Sequence, residues 1–173
     1  VTLHSLYDFT LESNEFGIVE PYNVLAWMRP DAQEVLDIRR AAIDWLEANM
    51  GADYNTLPGY QLGYPGEDEA KTVLIQAVAI QGAISDMGVR YNMGPYSFGA
   101  MQRVLTPDAV VRSKSGICIE TALLVASCLQ SADMHAMVLI LPGHAQVALE
   151  TWEGSGQYIL LETTTLPFTG SDV

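Results

Sequence analysis

The stretch SGICIETALLVASCL at residues 115–129 decides how the rest of the chain can fold. From Cys118 onward it is long enough for a helix and has almost no polar face. A helix that is apolar on every side is normally buried at the centre of a domain. Gly116 precedes it and permits a sharp turn and a close approach by another group. We therefore predict a central buried helix from Cys118 to Leu129.

Beyond Asp133 the helical period is lost, and short apolar runs follow. These runs predict three strands, at residues 136–141, 144–151 and 158–162. Pro142-Gly143 closes the first strand, and the turn residues 153–156 join the other two. Because the connections are short, we predict an antiparallel sheet.

The first half of the chain is predicted to be mainly helical. Apolar stripes indicate helices at residues 31–50 and 69–87, which end at Gly51 and Gly88, and a short helix begins at Thr106-Pro107. Asp31 and Glu34 are expected to form a capping box on the first helix. Helices followed by an antiparallel sheet indicate the α+β class.

We expect a single domain over residues 1–173. An irregular N-terminal segment covers residues 1–24, with a possible strand at 2–7. The helical half covers residues 25–112, and the Cys118 helix and the sheet cover residues 113–166. The chain starts at Val1 instead of Met, so we expect a longer natural chain with other domains, either cytoplasmic or secreted to the cell envelope.

Composition excludes several functions. The net charge is −13, from 21 acidic and 8 basic residues without any basic cluster, which argues against nucleic acid and anionic membrane surfaces as partners. No apolar run reaches the roughly 18 residues that a membrane span requires. The three histidines and two cysteines have no metal-ligand spacing, so we expect neither a metal nor a cofactor. Cys118 and Cys128 lie ten residues apart in one predicted helix, about 15 Å, too far for a disulfide.

Thiol chemistry on carbonyl compounds needs a thiolate, a base beside it and a group that orients the base. Cys118 is placed at the start of a helix, where backbone N–H groups and the helix dipole favour a thiolate. His144 begins a strand directly after a turn, and Glu162 ends the next strand, where it can orient the imidazole. Taken alone, each has an ordinary alternative: a core cysteine, a loop histidine and a surface acid.

Three stretches resemble segments of the transglutaminase-like superfamily, which has a papain-type thiol core. KSGICIETALL at residues 114–124 resembles its nucleophile segment, LPGHAQV at 141–147 its histidine segment, and YILLETT at 158–164 its final strand. The helical half resembles that of bacterial members at residues 25–30, 57–61 and 102–107. Departures from the family pattern occur at three positions: Ile117, Gln146 and Glu162, where relatives often carry Asp, an aromatic residue and Asp.

The resemblance implies a cysteine protease, amidase or transglutaminase with the catalytic triad Cys118, His144 and Glu162, acting on a protein or peptide. Gln102 is the candidate oxyanion donor, since papain-like enzymes place a glutamine upstream of the cysteine; the alternative is a loop glutamine bonded to backbone. The alternative function is a binding or scaffold module that has lost activity. We also expect the loop aromatics to line a substrate cleft near Cys118: Tyr54, Tyr60, Tyr64, Tyr91, Tyr96 and Phe98.

Overall fold

A computed structural model of the chain describes residues 8–9, 21–93 and 102–166, with the backbone alone at 8–9, 21–23 and 102. The helical elements are a 3-10 helix (Pro21–Trp27), α1 (Gln33–Met50), α2 (Glu69–Asp86), α3 (Pro107–Ser113) and α4 (Cys118–Ser131). The strands are β1 (Asp8–Phe9), β2 (Arg90–Tyr91), β3 (Gln102–Arg103), β4 (Ser115–Gly116), β5 (Ala136–Leu141), β6 (His144–Glu150) and β7 (Tyr158–Leu161). The α+β class predicted from the sequence is confirmed.

Helix α4 is the centre of the molecule. Every residue from Cys118 to Leu129 is buried. Helices α1, α2 and α3 contact α4, and so do strands β5 and β6 of the sheet. The apolar surface of α4 is therefore covered by several elements, as its sequence predicts.

The three-stranded sheet has the order β5-β6-β7, and both pairs are antiparallel. Val138 of β5 lies opposite Val147 of β6, which lies opposite Leu161 of β7. Because side chains alternate along a strand, these residues share one face of the sheet. Val147 and Leu161 are buried, whereas Leu160 on the other face is exposed. The predicted strands are found with ends shifted by at most one residue.

Strand β5 runs back along α4 after a tight turn. At that turn the Met134 and Asp133 N–H groups donate to Leu129 and Gln130. The 14 residues of α4 and the six of β5 each span about 20 Å. The end of β5 and the start of β6 therefore lie towards the N-terminal end of α4.

Two short pairings complete the described structure. Strand β2 pairs in parallel with β4, which leads directly into α4. Strand β1 pairs antiparallel with β3. The predicted strand at residues 2–7 lies outside the described residues.

The predicted capping box on α1 is wrong. The helix begins at Gln33, and its N-cap is Ala32, which has no side-chain acceptor. Glu34 instead forms an ion pair with Arg112 of α3. Helix α2 has a true cap, because the Asp68 carboxylate accepts a hydrogen bond of 2.7 Å from the Lys71 N–H.

The long loop between α1 and α2 is fixed at its middle. The buried Gln76 side chain accepts from the Gly59 N–H at 2.8 Å and donates to the Gly59 carbonyl at 3.0 Å. Gly59 has a φ of +60°, and a Cβ added there would lie 2.5 Å from the Ala132 carbonyl oxygen. Both the backbone conformation and the close approach therefore require glycine at this position.

We predict that Gly59→Ala destabilises the protein by at least about 2 kcal/mol, because backbone strain is joined by a clash with fixed backbone. Gly66→Ala is the matched control, since Gly66 has a φ of +80° with nothing within 4 Å of an added Cβ. Urea denaturation measures both free energies of unfolding. Equal losses in the two variants would show that the contact with Ala132 is unimportant.

Candidate active site

Cys118 is the first residue of α4, as the sequence predicts, and its 4% exposure makes it nearly buried. The backbone before it is held by the β2–β4 pairing and by a 2.9 Å hydrogen bond from the Asn92 N–H to the Gly116 carbonyl. A Cβ on Gly116 would lie 3.1 Å from Val110 and 3.3 Å from Thr121. The absence of a side chain at Gly116 thus allows Val110 and Thr121 to pack closely against the backbone.

His144 and Glu162 are brought together at the surface end of the sheet. The Nε2 atom of His144 lies 2.9 Å from Oε2 of Glu162. The side chains are 32% and 41% exposed, so both groups are reached by solvent. The two side chains are in contact, and the role of Glu162 in orienting His144 stays a prediction.

Glu162 is itself held in place by its neighbour Thr164. The Oε1 atom accepts from the Thr164 N–H at 2.9 Å and from its hydroxyl at 2.7 Å. Partial burial alone would raise the pKa of Glu162, but the Thr164 hydrogen bonds and His144 outweigh it and lower the pKa. The ionised carboxylate is the form that accepts all of these hydrogen bonds.

The contact with Glu162 determines which nitrogen of His144 is left for chemistry. An ionised carboxylate accepts hydrogen bonds, so Nε2 carries the proton in the neutral ring. The other nitrogen, Nδ1, then holds a lone pair and is the atom able to accept a proton. His144 can therefore act as a general base, with Glu162 as the acid that orients it.

A buried hydrogen bond connects the start of α4 to the segment that carries Glu162. The hydroxyl oxygens of Thr121 and Thr163 lie 3.0 Å apart, and Thr121 also contacts the Cys118 carbonyl at 3.1 Å. Thr163 follows Glu162 directly in the chain. Together with the return of β5 along α4, this contact places Cys118, His144 and Glu162 at the same end of the sheet.

The sequence did not single out Glu120, which lies in the first turn of α4. Its side chain is 6% exposed, and its two oxygens accept hydrogen bonds from the N–H groups of Ile117 and Leu105. The pattern of an acid three residues after a helix start was present, but Ile117 at the N-cap hid it because a capping box usually begins with Ser or Thr.

A second histidine–glutamate pair lies at the opposite end of β6. The Nδ1 atom of His135 is 2.9 Å from Oε2 of Glu150, and Oε1 of Glu150 accepts from the Gly156 N–H. The Tyr60 hydroxyl donates to the Glu150 carbonyl and accepts from the His135 N–H. His135 is exposed, and its partner Glu150 fixes the turn that contains Gly156.

The expected aromatic cleft near Cys118 is wrong for Tyr60. Tyr60 binds at the far end of the sheet, and Tyr54 and Tyr64 pack on each other with ring centroids 4.8 Å apart. Tyr64 also donates to the Thr56 carbonyl within its own loop. Tyr91 does lie beside Gly116. Tyr96 and Phe98 lie outside the described residues.

Gln102 lies in β3, where its backbone pairs with Phe9. Its side chain lies outside the described part of the structure, so its role as an oxyanion donor stays a prediction. Cys128 is completely buried, and burial raises the pKa of its thiol. Helix α4 carries both cysteines, and they form no disulfide.

Within residues 21–93 and 102–166, no three histidine, cysteine, aspartate or glutamate side chains are grouped so that they could hold a metal ion. No helix in the described part of the chain is long and apolar enough to cross a membrane. No protein-family model, curated protein or solved structure matches this chain. The resemblance to transglutaminase-like proteins therefore stays a proposal.

We predict that the contribution of Glu162 to stability depends on pH. Its pKa in the folded protein lies below the ordinary value of 4.5. Ionised Glu162 thus stabilises the fold fully above about pH 5, and the contribution is lost as pH falls through the folded pKa. Because the side chain is partly exposed, we expect less than about 1 kcal/mol.

Urea denaturation of wild type and Glu162→Gln between pH 3 and 7 measures this contribution. The difference in unfolding free energy should shrink in acid and stay constant near neutrality. Glu47→Gln, on the exposed side of α1, is the control. A difference that grows in acid would contradict the direction of the pKa shift.

Proposed function

We propose that this chain is a thiol-dependent enzyme that transfers acyl groups from amides. The observation that carries the proposal is the 2.9 Å contact between His144 and Glu162, at the end of the sheet where Cys118 begins α4. The three residue types have the roles that nucleophilic catalysis on a carbonyl requires. Similarity of residues 114–124, 141–147 and 158–164 to the transglutaminase-like superfamily supports membership in that family.

In the proposed reaction, Nδ1 of His144 takes the thiol proton while the Cys118 sulfur attacks the carbonyl carbon of the substrate. Glu162 stabilises the imidazolium that forms and keeps the ring oriented. When the tetrahedral intermediate collapses, His144 returns the proton to the leaving amine. The product of this half-reaction is a thioester on Cys118.

The thioester is then resolved by a second nucleophile. His144 removes a proton from water, which gives a carboxylic acid, or from a primary amine, which gives a new amide. We propose water as the acceptor, because hydrolysis needs no second site for an amine. The proposed substrate is a protein or peptide amide, and no nucleic acid is involved.

A second candidate function is a binding or scaffold module that retains the fold without activity. The 4% exposure of Cys118 favours it, because a substrate carbonyl must reach the sulfur. The departures at Ile117, Gln146 and Glu162 from the family pattern support the same conclusion. Reactivity of the thiol in the folded protein separates the two functions.

We predict that iodoacetamide alkylates Cys118 rapidly in the folded protein and that Cys118→Ala abolishes this reaction. Cys128 should react only after unfolding, because it is completely buried. Removal of the base in His144→Ala should slow alkylation at pH 6.5 on the order of a hundredfold. Mass spectrometry of the alkylated peptides measures each rate.

His135→Ala is a matched control, because it also removes a histidine bound to a glutamate but at the other end of β6. It should leave the alkylation rate of Cys118 unchanged. If Cys118 reacts only at the unfolding rate, or if both histidine variants slow it equally, the enzyme proposal fails. The binding module is then the better proposal.

We predict that water resolves the acyl-enzyme. After acylation of Cys118 with p-nitrophenyl acetate, addition of a primary amine such as cadaverine should not accelerate deacylation or produce N-acetyl cadaverine. Without a binding site for the amine, cadaverine has no advantage over water, which is present at a far higher concentration. Mass spectrometry of the products distinguishes acetate from the amide, and predominant amide would make the chain a transamidase.

A further inference from the structure

Glu120 is a buried carboxylate that the proposed mechanism does not use. It lies two residues after Cys118 and is 6% exposed. The Oε2 atom accepts from the Ile117 N–H at 2.9 Å, and Oε1 accepts from the Leu105 N–H at 2.8 Å. One side chain thus binds two segments that are separated in sequence.

Both segments precede the proposed nucleophile in the chain, and one of them leads directly into it. Ile117 immediately precedes Cys118 and is the N-cap of α4. Leu105 follows β3 and precedes α3, so its N–H belongs to the short stretch between the strand of Gln102 and the next helix. The carboxylate therefore sets the distance between this stretch and the first turn of α4.

Burying a carboxylate costs desolvation free energy, which makes it an unfavourable group for a purely structural link. Burial raises the pKa of Glu120, and the two backbone hydrogen bonds offset that shift only in part. A neutral side chain would avoid this desolvation. Only a carboxylate, however, offers two equivalent acceptor atoms that can serve both N–H groups at once.

We propose that Glu120 is a positioning residue of the acyl-transfer site, which holds the 103–105 stretch against the turn that carries Cys118. This inference rests on the proposed function. Attack on a carbonyl creates an oxyanion, and hydrogen-bond donors must be held about 2.7–3.1 Å from its position to stabilise it. The backbone at the start of α4 and the stretch that follows Gln102 are the parts that Glu120 fixes.

Two reagents separate this role from an effect on the thiol itself. Iodoacetamide is attacked at its CH₂ carbon and loses iodide, so no oxyanion forms. In p-nitrophenyl acetate the sulfur attacks the carbonyl carbon, a tetrahedral oxyanion forms, and nitrophenolate leaves. The ratio of the acylation rate to the alkylation rate therefore separates stabilisation of the oxyanion from formation of the thiolate.

Glu120→Asp is the principal variant. It keeps a carboxylate in the first turn of α4, but the side chain is one methylene shorter and cannot reach both N–H groups. We expect acylation to slow about tenfold or more, a part of the loss that follows removal of one oxyanion donor. Alkylation should change by less than about threefold.

Glu150→Asp is the matched control, because Glu150 is also 6% exposed and also accepts two hydrogen bonds, but at the far end of β6. It should leave the ratio unchanged. If circular dichroism shows that Glu120→Asp does not fold, Glu120→Gln replaces it, since the longer amide keeps one acceptor and the same reach. The ratio of the acylation rate to the alkylation rate should fall in Glu120→Gln as well.

The outcomes separate the inference from the proposed function. A wild-type protein that neither reagent modifies at Cys118 contradicts both. If the wild type reacts with both reagents and the Glu120 variant slows them in equal proportion, the positioning role is wrong while the enzyme proposal stands. A ratio that falls equally in Glu150→Asp also overturns the inference, because the effect would then be general.

Discussion

Burial of α4 on all sides is the constraint on which the rest of the structure depends. A helix whose residues from Cys118 to Leu129 are all buried needs neighbours around its whole circumference. Helices α1, α2 and α3 and strands β5 and β6 supply them. No single neighbour covers it, so the helical half and the sheet are both needed before the apolar surface is removed from water.

The polar side chains on this buried helix follow from the same constraint. Buried polar atoms need partners, and those of α4 bind segments that regular secondary structure does not hold. Glu120 binds the Leu105 N–H, Thr121 contacts the Thr163 hydroxyl, and the Ser127 hydroxyl accepts from the Arg29 N–H. Glu120 and Thr121 lie within one turn of Cys118, so the start of α4 is hydrogen-bonded to two segments that are distant in sequence.

The sequence predicted the parts of the fold that periodicity controls. The buried helix and the three strands followed from local patterns and spacing, whereas the pairing of His144 with Glu162 was expected mainly from the resemblance to the transglutaminase-like triad. The parallel pairing of β2 with β4 did not, because two-residue strands carry no periodic signal. The capping box at Asp31 failed because the helix starts two residues later, and the place of Tyr60 depends on a tertiary contact with Glu150 that no local pattern shows.

The fixed middle of the α1–α2 loop limits how the chain can change in length. Gln76 holds Gly59 at a point where the backbone also touches Ala132, so residues near it cannot move apart without losing a buried contact. At Gly51 and Gly66, by contrast, an added Cβ would meet nothing. We therefore expect insertions towards the two ends of this loop to be tolerated, whereas an insertion next to Gly59 would break its hydrogen bonds to Gln76.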